Sequence, residues 1–220
     1  MNDDTAFART RGSKLPRASR MAPDARREHL LSAAIRVLAA KGIGDSCHSD
    51  LAQAAGVAVP TVFHYYPTKA CLHSAVFSEI ARFLLEDIVA PQFDSAASAP
   101  VVIENILMTF CDAIDTHPDH VRVWLEWSVS IRAGVWDAYL VFYRQALAAI
   151  GALIDRGQAQ GAIQAQIDSD AAARVIVGLA HMIVQMKFSG SARAQVIHTV
   201  HSLVHGYLEV SPRPPGRTDN

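Results

Sequence analysis

Apolar residues recur in this chain at three- and four-residue steps over most of its length, and no segment alternates with period two. That period belongs to helices packed on one face, so the expected fold is all-α, with about nine helices. Leu31, Ala34, Ile35 and Leu38 form the first stripe, on a helix expected from about Asp24 to Lys41 and stopped by Gly42 and Gly44. Two short helices follow, one from His48 to Ala55, the other from Val59 to Tyr66, separated by Gly56 and closed by Pro67. Leu72, Val76, Ile80, Phe83, Leu84 and Ile88 predict a long helix that Pro91 ends. Further helices are expected near Pro100, after Pro118, and after Gly134 as far as about Arg156. Two wide stripes close the chain: Ala172, Val175, Ile176, Leu179, Met182, Ile183 and Met186, then, past the Ser189-Gly190 break, Ile197, Val200, Val204, Tyr207 and Leu208.

Half of the 220 residues are hydrophobic, which is ample for a core. The net charge of −1 hides an uneven distribution: seven cations against the single acid Asp24 lie between Arg9 and Arg27. Residues 1–23, rich in Arg, Ser, Pro and Gly without apolar periodicity, are expected to be a flexible basic arm. Residues 24–68 read as one module and 69–210 as a larger one, with a disordered tail over 211–220. Cys47, Cys71 and Cys111 are widely spaced, with no CxxC pair, and read as reduced thiols of a cytoplasmic protein. No uninterrupted apolar run reaches the roughly 18–20 residues of a membrane span, so no membrane is expected. Catalysis is disfavoured: the GIG at 42–44 lacks a preceding strand, GxSxG is absent, and no carboxylates pair at a useful helical spacing. No cofactor is expected.

The segment HSDLAQAAGVAVPTVFHYYPTKACL, from His48 to Leu72, supplies each part of a helix-turn-helix. Leu51, Ala52 and Ala55 pack inward, Gly56 suits a left-handed turn, and Val57, Val62 and Tyr65 anchor the second helix. Pro60, Thr61 and His64 are left facing outward. Double-stranded DNA is therefore the expected partner.

This segment resembles the signature of the TetR family, in which an AGV-like turn leads to a helix ending in a YxHF-like segment followed by a lysine. The resemblance implies that Thr61 and His64 approach base edges and that Tyr66 and Lys69 contact phosphates. A narrower resemblance runs through KGIGDSCHSDLAQAAGVAVPTVFHYYPTK and VRVWLEWSVSIRAGVW to the LuxR/HapR-type quorum-sensing master regulators. Even PRASRMAP resembles their basic arm, and it implies that Arg17 and Arg20 reach the minor groove, with Arg9, Arg11 and Lys14 adding phosphate attraction. His64 departs from the Asn usual in that branch, and Ala58 from its capping Ser, a loss of roughly 1 kcal/mol that Pro60 offsets in part.

The resemblance further implies a homodimer built by the last two helices, which would set two recognition helices about one DNA turn apart. Trp124, Trp127, Trp136, Met108, Phe110, Tyr143 and Met182 could line an apolar pocket. The branch points to Leu84, Ile88, Ile106, Trp124, Tyr143 and Leu147 as its walls, for a small apolar or amphipathic ligand. The expected function is that of a quorum-sensing type regulator, with a ligand-released local repressor of a transport or catabolic operon as the alternative. His198, His201 and His205 share a face of the last helix, with only Glu209 as a neighbouring acid in sequence. They read as polar surface or interface histidines, and no metal is expected.

Overall fold

Proline has no amide hydrogen to lose at a helix start, and Pro23 opens the first helix in the computed structural model, which describes residues 21–209. The basic arm up to residue 20, including Arg17 and Arg20, and the tail from residue 211 lie outside the described residues. Among the described residues there are nine α-helices and no strand. They are α1 (Pro23–Lys41), α2 (His48–Ala55), α3 (Val59–Tyr65), α4 (Lys69–Arg82), α5 (Ala99–Thr116), α6 (Pro118–Val129), α7 (Val135–Ala159), α8 (Ser169–Phe188) and α9 (Arg193–Leu208).

Their ends follow local chemistry. Gly42 terminates α1 at φ 91°, Thr68 caps α4 by accepting from the Cys71 N–H, and Asp168 caps α8 by accepting from the Ala171 N–H. The expected long helix does not stop cleanly at Pro91. It widens into a π-helical stretch over Phe83–Val89, where Ala90 N–H bonds the Leu85 carbonyl five residues back, then tightens into a 3₁₀ turn over Ala90–Gln92. Pro91 is tolerated because it falls in the first turn of that short helix, where no amide donor is needed. The wider turn brings a residue five along back toward the same side. Arg82 accordingly donates to Asp87 at 2.9 Å while also holding Glu79.

One continuous core runs from Leu30, Leu51 and Val62 through Ile80 and Trp127 to Ile154, Ile176 and Val200. The N-terminal three helices are thus welded to the rest, since α1 packs on α4 and α6 as well as on α2. Packing is tight where α7 ends: a β-carbon at Gly157 would lie 2.6 Å from Ile163 Cδ1 and 2.7 Å from Ala99 Cβ. The α7–α8 turn is tied to the end of α9 by an isolated bridge between Ile163 and Glu209.

The two C-terminal stripes divide. Ala172, Ile176, Ile183, Val200, Val204 and Leu208 enter the chain's own core, whereas Val175, Ile197, Leu203 and Tyr207 are exposed. By length and composition α7 and α8 could each cross a bilayer, although no long uninterrupted apolar run was evident. Here they pack on each other and on α5 as core helices.

Candidate nucleic-acid interface

The helix-turn-helix is assembled by backbone geometry and two histidines. Gly56 takes the left-handed conformation at φ 63°, ψ 38°, which a β-carbon would strain, and Val57 N–H bonds the Ala52 carbonyl across the turn. Ala58 begins α3 with no side-chain cap and Pro60 in the first turn, as the sequence implies. His29 Nε2 on α1 donates to the Ala55 carbonyl at 3.0 Å, and His48 Nε2 on α2 donates to the Tyr66 carbonyl at 2.7 Å. These bonds satisfy carbonyls left over at the ends of α2 and α3 and fix the angle between the helices. The start of α2 is held by Asp50, whose carboxylate accepts from the Cys47 thiol and from Lys41, and from the Cys47 N–H. Those bonds lower its pKa to about 2.

On α3, Val62 is fully buried and Tyr65 half-buried, with the Arg27 guanidinium 5.7 Å from the Tyr65 ring centre. Pro60 and His64 are exposed and Thr61 half-exposed on the opposite side. They border an open hollow whose other edge includes Met21 and Arg26. Lys69 lies at the start of α4 and its ammonium donates to the Gly44 carbonyl.

Tyr66 corrects the expectation. It is only 3% exposed, so its side chain belongs to the core and is not on the surface where a phosphate would lie. It follows Val62 by four residues, one helical turn, and shares the anchoring face. The exposed aromatic is Phe63, 47% accessible and stacked on His48 with ring centres 4.3 Å apart. Aligning FHYY on the YxHF-like segment gives the same answer, with Phe63 first and Tyr66 last. The supporting roles of His29 and His48 had no signal in the sequence, because each depends on which helices meet.

Residues 30–76 match the family model described as "Bacterial regulatory proteins, tetR family". Over 198 residues the chain is 27% identical to the HTH-type transcriptional regulator LuxR of Vibrio harveyi, covering 90% of this chain and 94% of that protein. Over residues 30–76 the chain is thus similar to the TetR family of bacterial regulatory proteins, and over nearly its whole length to a transcriptional regulator. Its fold is similar to those of Salmonella enterica GusR (TM-score 0.72, 18% identity, 86% of this chain and 97% of that one) and of the fatty acid degradation regulator FadR from Bacillus halodurans (0.72, 20%, 86% and 97%). It is also similar to Bacillus subtilis FadR, solved in complex with stearoyl-CoA (0.70, 19%, 80% and 96%).

The three N-terminal helices meet the remainder at the Gly42–Gly44 turn. Glu126 on α6 accepts from the Ile43 N–H at 2.8 Å, and a β-carbon at Gly42 would lie 3.3 Å from Glu126 Oε1. The Arg132 guanidinium sits over Gly44, where a β-carbon would meet Nη1 at 2.9 Å. Lys69 of α4, on the Gly44 carbonyl, and Glu126 of α6 thus hold this turn, and Arg132 of the α6–α7 loop covers it. The GIG sequence is thus a structural junction.

The apolar side chains expected to form a pocket converge only in part. Leu84, Ile88, Ile106, Phe110 and Trp124 border one cavity, but its volume is about 80 Å³, well below the 300–1,000 Å³ usual for drug-sized ligands. Tyr143 and Leu147 do not line it. The inward positions of α7 are Tyr139, Phe142, Ala146 and Ile150, so residues 143 and 147 are turned aside by about 100°. Tyr143 stacks instead on Tyr139, with ring centres 5.8 Å apart. Met182 is also off the lining; its neighbour His181 lies 4.5 Å from the Trp124 ring and donates to Ser128 Oγ at 2.9 Å. Burial keeps the His181 imidazole below its usual pKa.

Proposed function

We propose that this regulator is a cytoplasmic homodimer of the LuxR/HapR quorum-sensing type, reading an operator through α3. The observation that carries the reading is the two-sided character of α3: Val62 is locked into the core while Pro60, Thr61 and His64 face outward on an exposed surface. Thr61 and His64 would read base edges in the major groove, with Arg26, Lys69 and Phe63 against the backbone at its border. Arg17 and Arg20 of the basic arm would enter the adjacent minor groove. The similarity to LuxR of Vibrio harveyi over nearly the whole chain supports the quorum-sensing assignment.

Dimerisation would use the apolar strip that α8 and α9 leave exposed, Val175, Ile197, Leu203 and Tyr207, flanked by half-buried Leu179, Met182 and Met186. Sedimentation equilibrium tests this part: a dimer that becomes monomeric in Val175→Asp/Leu203→Asp supports it, and an unchanged mass overturns it. Electrophoretic mobility shifts across a salt series test the DNA reading. Lys69→Ala should weaken binding to every sequence and flatten the salt slope by about one unit, whereas His64→Ala should change base preference.

One feature favours a ligand-released repressor as a second reading. An open groove of about 840 Å³ lies between α4 and α7, bordered by Lys69, His73, Phe77, Trp127 and Phe142, and His73 Nε2 has no hydrogen-bond partner there among the described residues. A small molecule seated in it would touch the helix that carries Lys69. A ligand that lowers operator affinity and is blocked by Phe77→Trp would establish this reading; equal affinity with and without saturating ligand would remove it.

A further inference from the structure

The histidines of α9 face a carboxylate that lies about a hundred positions away in sequence. Glu104 on α5 accepts at one oxygen, Oε2, from His205 Nε2 at 2.7 Å and from His201 Nδ1 at 3.2 Å. The two imidazole rings, one helical turn apart on α9, have centres separated by 4.2 Å. One donor atom from each of Glu104, His201 and His205 lies within 4.8 Å of the other two. Ligand bonds of zinc, about 2.0–2.2 Å in a tetrahedron, place donor atoms roughly 3.3–3.6 Å apart, so small side-chain adjustments would bring the three atoms to coordination distance.

The surroundings match what a metal ligand needs. His205 turns its other nitrogen, Nδ1, to Glu209 Oε1 at 2.6 Å, the carboxylate pairing that orients a metal-binding histidine and raises its basicity. The Glu104 and His205 side chains are largely buried, at 18% and 15% accessibility, whereas His201 is 57% accessible. This arrangement gives two fixed donors, one accessible donor and a route for an ion from solvent. His198, seven residues before His205 and roughly 10 Å away along the axis, is outside the cluster.

We propose that Glu104, His201 and His205 bind one divalent transition-metal cation of the zinc class, with Glu209 orienting His205 and solvent completing the coordination. On binding, the metal replaces the proton that His205 Nε2 shares with Glu104, and that proton passes to solvent. The ion would fasten α5 to α9. Glu104 stands two residues before the cavity residue Ile106, and α9 carries Ile197, Leu203 and Tyr207 of the proposed dimer face.

The test uses the full-length chain without an affinity tag, stripped with chelator and titrated with Zn²⁺ against a chromophoric competitor. Co²⁺ serves as an absorbance probe of coordination. One equivalent per chain is expected, together with visible Co²⁺ bands of a low-coordinate nitrogen–oxygen site. His205→Ala and His201→Ala should each weaken binding at least tenfold, Glu209→Gln by about 10- to 100-fold with stoichiometry kept, and His198→Ala not at all. Glu104→Gln keeps an acceptor for His205, so it preserves the fold, and it should still lose at least tenfold in affinity. The proposal is overturned if wild type takes up no Zn²⁺ in the micromolar range, or if Glu104→Gln and His201→Ala/His205→Ala bind it as wild type does.

Discussion

Removing the Glu126 carboxylate should loosen the junction between the DNA-binding helices and the rest of the molecule. The carboxylate accepts from the Ile43 N–H at 2.8 Å, and Ile43 itself is 3% exposed, so water cannot easily replace the lost partner. A hydrogen bond to a charged acceptor contributes about 1.5–3 kcal/mol. For a chain of 220 residues each kcal/mol shifts the melting temperature by about 2–4 °C, so Glu126→Ala should melt about 3–12 °C lower than wild type. Glu126→Gln keeps an oxygen acceptor and should lose only part of this. Because Glu126 lies on α6, away from the outward face of α3, operator affinity should fall in Glu126→Ala while its salt slope is unchanged. Calorimetry and mobility shifts measure the two effects. Wild-type melting and wild-type operator affinity in Glu126→Ala would refute the assignment of this junction.

Tyr66→Phe should bind operator like wild type, since the ring is a core element, whereas Tyr66→Ala should cost about 3–5 kcal/mol of stability; a Tyr66→Phe that melts normally but loses DNA affinity would restore the phosphate-contact role. Gly157→Ala should destabilise by about 1–3 kcal/mol in denaturant titrations, because its β-carbon would overlap Ile163 and Ala99; an unchanged midpoint would show that this contact relaxes freely. Burial holds His73, His120 and His181 below the ordinary imidazole value of 6.5, with neighbouring cationic or imidazole groups adding to the effect at His73 and His120. Unfolding restores their proton affinity, so the unfolded chain binds more protons as pH falls through about 6.5. The stability these three groups contribute should therefore fall as pH drops below about 6.5, whereas His205, raised against the cost of burial by its bonds to Glu209 and Glu104, acts oppositely above that pH. Below it the decline should be less steep in His181→Asn, and equal slopes in the two proteins would exclude His181 as a contributor.

Much of this architecture was legible because helical periodicity and its breakers are local. The bounds of α1 to α3, the left-handed Gly56, the uncapped Ala58 and the outward Pro60, Thr61 and His64 all follow from residues within one turn of each other. What escaped depends on contacts distant in sequence. The π-helical stretch after Arg82 reflects a local register that apolar spacing does not reveal, and it moved the end of the α4 region past Pro91. On α7 both residues 142 and 143 are aromatic, and both 146 and 147 are apolar, so the sequence could not choose the inward set; packing against α8 and α5 chose Phe142 and Ala146. Tyr66 was misplaced by carrying a phosphate-contact role over from the family resemblance, although its four-residue spacing from Val62 marks it as an anchor. Glu126 reaches Ile43 across 83 residues, and Glu104 reaches His205 across 101. Nothing in a single sequence pairs them.

Selection of bound sites from a random duplex library, by wild type and His64→Ala at two salt concentrations, tests DNA reading by α3 most directly. A near-palindromic motif with half-sites about one helical turn apart, altered at one or two positions per half-site in His64→Ala, is the predicted result. Failure to enrich any motif at either salt, or an identical motif from wild type and His64→Ala, would contradict the assignment of α3 as the base-reading helix.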